Sequence, residues 1–532
     1  MHLSGRSLIG FGQGSQTNDS FRAFAPATDA ECEPRFWSAT PEEVDAAVML
    51  AAEAFATYSR VSPVARANFL ELIAAKVEAA QDQLTERANQ ETALPLPRLR
   101  GEIGRTCGQL RLFAQIVKEG SWSLPRIDHA DPARKPLPKP DVRSMLRPLG
   151  PVVVFGASNF PFAFSVAGGD TASALAAGNP VVVKAHPAHP GTSELVALAI
   201  CESARESRLP EGVFSLLFDS GVRVGAELVQ HKLVKATAFT GSLAAGRALF
   251  NLAVSRPEPI PFYGEMSSTN PLFVLPRALA GFTEKIAGDL FGSFTLGAGQ
   301  FCTKPGLVFL NEGTAAEQFA AVLHNKVQAS PAFTLLTKGI GTAYAKELRV
   351  RLGTQALRAL AQGPATREDL ATAASAAVFQ TNAASFLESA ELAEEHFGPS
   401  TVLVAYKGKQ EILDCAHNLR GQLTATVHAT TEDLEEYAEL IPILETKVGR
   451  IIFNGYPTGV EVCQAMVHGG PYPATTDPRA TSVGTLAINR FARFVCYQDC
   501  PPTALPPELR DENPLGVWRL VDGEFTKRKT PE

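Results

Sequence analysis

Pro151-Val152-Val153-Val154-Phe155 and Pro180-Val181-Val182-Val183-Lys184 are short apolar runs of the kind that form buried β-strands. Two similar runs follow at 213–217 and 234–239, and Ala-rich helical segments lie between the runs, the first of them at about 162–177. Strands that alternate with helices of this length predict right-handed βαβ units and a buried parallel sheet. Ligands bind such sheets at the carboxyl ends of the strands, so the residues after these runs are candidate site residues.

The residues on either side of this predicted sheet differ from it in composition and in hydrophobic periodicity. Residues 40–120 have helical periodicity, and Thr40-Pro41-Glu42-Glu43 is a capping box that predicts the start of a helix. Prolines crowd residues 122–148, which predicts an extended arm with a role in oligomer contacts. A second α/β block is expected at about 271–455. We expect its strands, and an edge strand near the end of the chain, at 305–310, 401–405, 423–428, 449–453 and 490–497.

Composition narrows the class of protein. The chain has 532 residues, 45% hydrophobic and 20% charged, so we expect two or more globular domains. With a net charge of −6, the chain has no excess of positive charge that would indicate binding to nucleic acid or to an anionic membrane. No signal peptide or membrane span is evident, and eight scattered cysteines indicate free thiols in the cytoplasm. Cys496 and Cys500 lack a second pair of ligands, so no zinc or other metal is predicted.

Cys302 is the candidate nucleophile. It lies in Gly299-Gln300-Phe301-Cys302-Thr303-Lys304, after a Gly-rich approach. Glu265, in Tyr263-Gly264-Glu265-Met266, is a candidate base that can deprotonate water or the thiol. A buried structural cysteine is the alternative interpretation.

Further candidates follow the predicted strands. Phe239-Thr240-Gly241-Ser242-Leu243-Ala244-Ala245-Gly246 joins a strand to a helix, where Gly241 and Gly246 would permit a tight turn and the helix N-terminus would face a phosphate. Its G-x4-G spacing departs from the usual dinucleotide fingerprint. Lys184 ends a strand, where a cofactor ribose or phosphate would lie. The Asn159 amide could donate to an oxyanion, and in Glu394-Glu395-His396-Phe397-Gly398, Glu395 could hold ribose hydroxyls beside Phe397.

Taken in this order and spacing, these motifs resemble the aldehyde dehydrogenase superfamily across about residues 25–500. The resemblance implies that Cys302 forms a thiohemiacetal and then a thioester, that Glu265 is the general base and that Asn159 is the oxyanion donor. It places the cofactor on Lys184, Gly241, Ser242, Gly246, Glu395 and Phe397.

The resemblance also implies an α/β fold with a Rossmann-like cofactor domain at 1–124 and 149–265 and an α/β catalytic domain at 266–455. A β oligomerisation arm at 125–148 and 486–510 and a C-terminal tail at 511–532 complete the expected organisation. A homodimer or homotetramer is expected, with a small-molecule aldehyde as substrate.

Two positions depart from the family pattern. Met266-Ser267-Ser268-Thr269 follows Glu265 where the family usually has Leu-Gly-Gly-Lys, so the placement of Glu265 needs a structure. Pro187 stands where members that prefer NAD often have an acid. Because no carboxylate repels a 2′-phosphate there, we expect NADP, with NAD as the alternative, and we expect Lys184, His186 and Arg223 to face that phosphate.

Several stretches resemble the subgroup that oxidises 2-oxoglutarate semialdehyde (2,5-dioxopentanoate). They are 184–192, 457–463, 466–475 and 481–485. NADP-dependent dehydrogenases of fatty or other aldehydes share part of this pattern. A CoA-acylating enzyme is a further alternative, but Glu265 argues against it because hydrolysis needs a base. A dehydrogenase fold without activity is the last alternative, and the joint presence of Cys302, Glu265 and Asn159 argues against that.

Overall fold

The computed structural model describes residues 2–364 and 370–529. The outermost residues of the predicted domains, 1 and 530–532, and residues 365–369 of the predicted catalytic domain lie outside the described residues. Among the described residues, no helix is both long and apolar enough to cross a membrane.

The helices and strands of the described residues follow the alternation expected of an α/β chain. The helices are α1 (Pro41–Tyr58), α2 (Pro63–Ala79), α3 (Gln81–Thr92), α4 (Leu96–Glu119), α5 (Gly169–Ala177), α6 (Pro190–Glu206), α7 (Arg223–Gln230), α8 (Leu243–Val254), α9 (Pro276–Thr295), α10 (Thr314–Gln328), α11 (Lys338–Gly353), α12 (Ala383–Glu388), α13 (Lys409–Asn418), α14 (Thr431–Glu436) and α15 (Leu440–Glu445). The strands are β1 (Leu8–Ile9), β2 (Gly12–Gln13), β3 (Ser20–Ala25), β4 (Ala30–Trp37), β5 (Arg126–Asp128), β6 (Val142–Pro148), β7 (Val152–Phe155), β8 (Val181–Lys184), β9 (Phe214–Leu217), β10 (Ala236–Thr240), β11 (Phe262–Glu265), β12 (Leu272–Val274), β13 (Leu307–Asn311), β14 (Phe333–Thr334), β15 (Arg358–Gln362), β16 (Ala373–Ala374), β17 (Ala377–Asn382), β18 (Ser400–Tyr406), β19 (Gln422–His428), β20 (Val448–Phe453), β21 (Ala492–Gln498), β22 (Arg519–Val521) and β23 (Glu524–Thr526).

The first sheet confirms the predicted βαβ units. Its strand order is β11-β10-β7-β8-β9-β1-β2, and the five strands from β11 to β9 run parallel to one another. The four predicted runs form β7 to β10, and the side chains of β7, β8 and β9 are buried. The carboxyl ends of these strands therefore meet at one edge of the sheet, which is where the candidate site residues lie.

One helix of this region begins later than predicted. The sequence indicates a helix from about 162, whereas α5 begins at Gly169. The Glu102 carboxylate accepts hydrogen bonds from the backbone N–H groups of Phe162 and Ala163, at 2.9 and 3.0 Å, and these hold the preceding residues in a loop. The capping box at Thr40 is confirmed, because its hydroxyl accepts from the Glu43 N–H and the Glu43 carboxylate accepts from the Thr40 N–H.

The second sheet has the order β15-β17-β18-β13-β12-β19-β20. The four predicted strands of this block form β13, β18, β19 and β20. β12, β15 and β17 were not predicted. β12 is a three-residue strand between β13 and β19, parallel to both, and its position in the sheet depends on contacts distant in sequence.

A third sheet contains the predicted arm, in the order β21-β6-β5-β22-β23. β6 and β21 pair antiparallel along their whole length, from Ala492 opposite Pro148 to Gln498 opposite Val142. The C-terminal segment differs from the tail that the sequence predicts, because β22 and β23 extend this sheet. Val521 packs with Ile127, Met145 and Leu509 in a small apolar cluster, which accounts for the ordered strand.

Candidate active site

Glu265 and Cys302 are brought together from different parts of the fold. Glu265 is the last residue of β11, opposite Thr240 of β10 and bridged to Thr475. Cys302 follows a 3-10 turn, and its carbonyl accepts a hydrogen bond of 2.8 Å from the Asn270 amide. The Cys302 sulfur and a Glu265 carboxylate oxygen lie within 4.8 Å of each other, so the predicted nucleophile and the predicted base are neighbours.

His468 is a third member of this cluster that sequence reasoning missed. Its Nε2 lies 3.0 Å from Oε1 of Glu265 and 3.6 Å from Sγ of Cys302. Ser482 donates a hydrogen bond of 2.8 Å to the other carboxylate oxygen of Glu265. The donor atoms of Glu265, Cys302 and His468 all lie within 4.8 Å of one another, which is also a geometry that could hold a metal ion.

The charges in this cluster favour a neutral thiol and an ionised carboxylate. Burial opposes ionisation of Glu265, but electrostatic attraction to His468 and hydrogen bonds from His468, Ser482 and Cys302 outweigh it and hold the pKa of the carboxyl below its ordinary value. Burial raises the pKa of the Cys302 thiol well above its usual range, and the negative charge of Glu265 raises it further. These opposite pKa shifts favour a proton on the sulfur and a carboxylate that can accept it.

The departure from the family pattern after Glu265 does not disturb the strand end. None of the residues Met266 to Thr269 has a positive φ, so this backbone path does not require glycine. The side-chain oxygen of Gln422 accepts hydrogen bonds from the Ser268 hydroxyl at 3.0 Å and from the Thr269 N–H at 2.6 Å. These bonds fix the segment that carries Glu265 out of the sheet.

Asn159 lies next to the segment that carries Cys302. Its Nδ2 donates a hydrogen bond of 2.9 Å to the carbonyl of Gln300, and its own carbonyl accepts one of 2.8 Å from Arg98. An amide nitrogen carries two N–H groups. One of them holds the Gln300 carbonyl, and the second is available to an oxyanion.

The residues expected to face the adenosine end of a cofactor lie at the ends of β8 and β9. Lys184 is buried, its Nζ donates to the carbonyl of Asp219 at 2.8 Å, and burial lowers its pKa to about 8. Burial, with the nearby His189 and Lys184, lowers the pKa of His186 well below its usual value, so His186 is neutral. Arg223 is paired with Glu227 at 3.1 Å. Lys184 is thus a better candidate than His186 for a cation that faces a phosphate.

Gly241, Ser242 and Gly246 lie between β10 and α8, as predicted, but the reason given for the glycines was wrong. Neither glycine has a positive φ, so no tight turn requires them. A Cβ on Gly241 would lie 2.6 Å from the Phe239 ring, and one on Gly246 would lie 2.7 Å from the Met266 side chain. The glycines therefore permit close packing of the α8 N-terminus on the sheet, and Ser242 caps that helix by accepting from the Ala245 N–H at 3.3 Å.

Glu395 and Phe397 lie on the other side of the thiol, in the segment before β18. The Glu395 carboxylate interacts with the Ser267 hydroxyl and the Ser268 N–H, so it touches the segment that follows Glu265. Burial raises the pKa of Glu395, whereas the charge of the buried Lys304 lowers it. The Lys304 Nζ donates to the carbonyls of His396 and Ser400, at 2.7 and 3.0 Å, and so ties the Cys302 segment to the Glu395 segment. Phe397 is half-buried in the same segment.

A small cavity of about 20 Å³, enough for one water molecule, adjoins Glu265 and His468. The buried ion pair of Asp170 and Arg490, 2.7 Å apart, lies in its wall together with Ser482. A cavity with this many polar groups can hold water next to the carboxylate.

The geometry suits a nicotinamide dinucleotide. The α8 N-terminus, which Ser242 caps, presents the positive end of the helix dipole to a phosphate. Lys184 lies at the end of β8 in the same sheet, and Glu395 is linked to the loop of Cys302. The sequence-predicted residues thus fall into one group around the thiol and a second group along the edge of the first sheet.

Comparisons with known proteins agree on one family. The model of the aldehyde dehydrogenase family matches residues 13–472 of this chain. The chain is 48% identical over 98% of its length to the whole of alpha-ketoglutaric semialdehyde dehydrogenase 2 of Azospirillum brasilense. It is 48% identical over 92% of its length to 93% of the alpha-ketoglutaric semialdehyde dehydrogenase of Acinetobacter baylyi. Among solved structures, a betaine aldehyde dehydrogenase mutant of Staphylococcus aureus matches 94% of this chain and 98% of its own with a TM-score of 0.79 at 18% identity, which supports the fold.

Proposed function

The chain belongs to the aldehyde dehydrogenase family, and from this premise we propose that it oxidises 2,5-dioxopentanoate to 2-oxoglutarate with NADP. The resemblance inferred from the sequence motifs and the α/β fold class are thereby confirmed. The observation that supports the substrate is the 48% identity, over almost the whole chain, with two alpha-ketoglutaric semialdehyde dehydrogenases. The family itself makes the chain an enzyme that oxidises aldehydes with NAD(P)⁺.

Cys302 is the proposed nucleophile. Its sulfur forms a bond to the aldehyde carbon while its proton passes, directly or through a water, to Glu265, whose carboxylate lies within 4.8 Å of the sulfur. The carbonyl oxygen becomes an oxyanion, and the second N–H of Asn159 and the backbone N–H of Cys302 are the proposed donors to it. Losing one such donor typically costs about 3 kcal/mol of transition-state stabilisation.

A nicotinamide dinucleotide bound beside Cys302 would supply the hydride acceptor for the oxidation. Lys184, Gly241, Ser242, Gly246, Glu395 and Phe397 are the residues proposed to hold the cofactor. The resulting acyl group stays on Cys302 as a thioester.

Glu265 is the proposed base for hydrolysis. Once the proton taken from the thiol has passed from Glu265 to solvent, the carboxylate can take a proton off a water in the adjoining cavity, and that water attacks the thioester. The C–S bond then breaks, the proton on Glu265 passes to the sulfur to restore the thiol, and the product leaves as the acid. His468 and Ser482 are positioning residues, since each bonds to one oxygen of the carboxylate and keeps it ionised.

NADP is the proposed cofactor because the position where NAD-preferring members of the family often have an acid, which would repel a 2′-phosphate, carries no charge in this sequence. Pro187 occupies the expected position of such an acid. The nearby Asp219 carboxylate instead accepts hydrogen bonds from the N–H groups of Gly221 and Val224, at 3.0 and 3.1 Å, and so caps α7. Arg223 would have to leave Glu227 to bind the phosphate.

The domain boundaries and the assembly stay predictions. We propose the cofactor domain at 1–124 and 149–265, the catalytic domain at 266–455 and the arm at 125–148 and 486–510. A homodimer or homotetramer is the proposed assembly, since β21 is one of the two edge strands that the arm sheet has among the described residues.

A kinetic panel tests this proposal. The enzyme is assayed in EDTA, to remove any metal from the thiol cluster, with 2,5-dioxopentanoate, succinate semialdehyde, hexanal and benzaldehyde, each with NAD and with NADP. We expect the highest kcat/KM for 2,5-dioxopentanoate with NADP and release of free acid. A higher kcat/KM for hexanal would contradict the substrate, a preference for NAD would contradict the cofactor, and turnover that requires CoA would contradict hydrolysis.

A further inference from the structure

Two arginines near the thiol have N–H groups without a hydrogen-bond partner. Nη1 and Nη2 of Arg105, on α4, are buried and unpartnered among the described residues, and so is Nε of Arg450, on β20. No carboxylate lies within ion-pair distance of either guanidinium in the part of the chain that the structure describes. Because unpaired buried donors are unfavourable, such groups indicate a partner that arrives with a ligand.

Both guanidinium groups are held by the same loop. Nε of Arg105 donates to the carbonyl of Val460 at 3.3 Å, and Arg450 donates to the carbonyls of Gly459 and Pro457 at 3.0 and 2.8 Å. The loop therefore fixes both arginines but neutralises neither. Arg105 still has its two terminal nitrogens, in the fork geometry that matches a carboxylate.

The location of this pair relates it to the reaction. The Arg105 guanidinium lies 5.2 Å from the centre of the Phe164 ring, which is 6.1 Å from the His468 ring, and His468 contacts Cys302. Burial lowers the pKa of Arg105, and the charge of Glu102 opposes that effect, as would a thiolate at Cys302. Burial lowers the pKa of Arg450 too, again opposed by Cys302. Both arginines are thus within electrostatic reach of the thiol.

We propose that Arg105, with Arg450 beside it, binds the carboxylate at the far end of the aldehyde substrate, an inference that rests on the proposed function because it assigns the acid end of that substrate. Nη1 and Nη2 of Arg105 donate hydrogen bonds to the two carboxylate oxygens, or to one of them and the oxygen of the adjacent ketone, while the aldehyde carbon lies at Cys302. Phe164 forms the apolar wall between the two ends. The site selects aldehydes that carry a carboxylate over uncharged aldehydes of similar length.

Arg105→Gln tests this assignment with 2,5-dioxopentanoate and pentanal as paired substrates. We expect kcat/KM for 2,5-dioxopentanoate to fall roughly 100-fold, mainly through KM, because a buried charged pair is lost. Pentanal has no carboxylate, so its kcat/KM should change less than about 3-fold. Arg105→Lys, which keeps the charge without the fork, should lie between the two.

Arg100→Gln is the matched control, because Arg100 lies on the same helix and its side chain is 55% exposed. It should leave both substrates unchanged. Equal losses for 2,5-dioxopentanoate and pentanal in Arg105→Gln would overturn the inference.

The experiment also separates this inference from the proposed substrate. If the wild-type enzyme prefers succinate semialdehyde and Arg105→Gln removes that preference, the substrate is wrong but the carboxylate site stands. If the wild-type enzyme prefers no carboxylated aldehyde, both are overturned. Should Arg105→Gln not fold, wild-type oxidation of pentanal is measured with glutarate or glutaramide present. Competitive inhibition by glutarate alone supports the site, and equal inhibition by both overturns it.

Discussion

At the scale of single residues, the ionisation of Glu265 depends on its neighbours. Burial favours the neutral acid, and His468 and Ser482 reverse that preference through one bond to each carboxylate oxygen. A protonated Glu265 could accept neither the thiol proton nor a proton from water. The activity should therefore be lost as the pH falls through the pKa of Glu265.

His468→Asn should move this acid limb to higher pH. Without the electrostatic attraction and hydrogen bond of His468, burial dominates and the pKa of Glu265 rises. The measurement is kcat as a function of pH with 2,5-dioxopentanoate and NADP. Ser482→Ala removes one hydrogen bond only and should give a smaller shift in the same direction. An unchanged acid limb in His468→Asn, with lower activity at every pH, would mean that His468 has a structural role alone.

Sequence reasoning could find Cys302, Glu265 and Asn159 because each lies in a short motif. It missed His468 and Ser482, which lie 203 and 217 residues from Glu265 along the chain. His468 lies within 466–475, one of the stretches that resemble the semialdehyde dehydrogenase subgroup. No sequence spacing relates it to Glu265, however. His468 belongs to the site only because segments that are distant in sequence pack together in the fold.

At the scale of elements, the segment between β11 and β12 links the strand end to both sides of the site. Gln422 accepts its bonds from Ser268 and Thr269, and the same segment contacts Glu395. The sequence alone does not predict how this segment places Glu265, because Ser267 and Ser268 replace glycines of the family pattern. The polar side chains provide bonds that glycines could not.

Gln422→Leu should lower both stability and activity. It leaves buried donors of the segment unpaired, at about 1–3 kcal/mol for each such group. Urea unfolding should give a loss of at least about 2 kcal/mol, and kcat should fall because Glu265 and Glu395 are no longer fixed. Gln410→Leu, at an exposed position on α13, is the control and should change neither. Wild-type values for both quantities in Gln422→Leu would show that the segment does not depend on this side chain.

The elements themselves were largely predictable from local pattern. The capping box at Thr40 and the buried runs of β7 to β9 contain their own signals. The late start of α5 has a different origin, because a carboxylate on α4 takes the N–H groups that a helix would use. Such competition between a tertiary and a local hydrogen bond leaves no trace in periodicity.

At the scale of the whole molecule, the arm sheet has two exposed edges. β21 forms one edge, where Phe494 is 51% exposed, and β23 forms the other, where Phe525 is 75% exposed. The sequence predicted an arm that included β21 but treated the last residues as a tail. The apolar contacts of Val521 with residues some 400 positions away explain why the segment is ordered.

Phe494→Asp should reduce the assembly to smaller species. A charge at an edge proposed to pair with another subunit opposes burial there. The measurement is the molar mass from light scattering after size-exclusion chromatography. Phe525→Asp, on the opposite edge, is the control and should leave the mass unchanged. If only the control dissociates the enzyme, the assembly uses the β23 edge instead.

The most direct test of the account is to trap the acyl group on Cys302. Wild-type enzyme, which keeps the proposed base for the thiol, is mixed with excess 2,5-dioxopentanoate and NADP and quenched in acid during the first turnover, and its peptides are examined by mass spectrometry. The account predicts one 2-oxoglutaryl group per site, on Cys302, formed together with one NADPH and absent without cofactor or in Cys302→Ser. NADPH formation with Cys302 unmodified, or an acyl group on another cysteine, would contradict it.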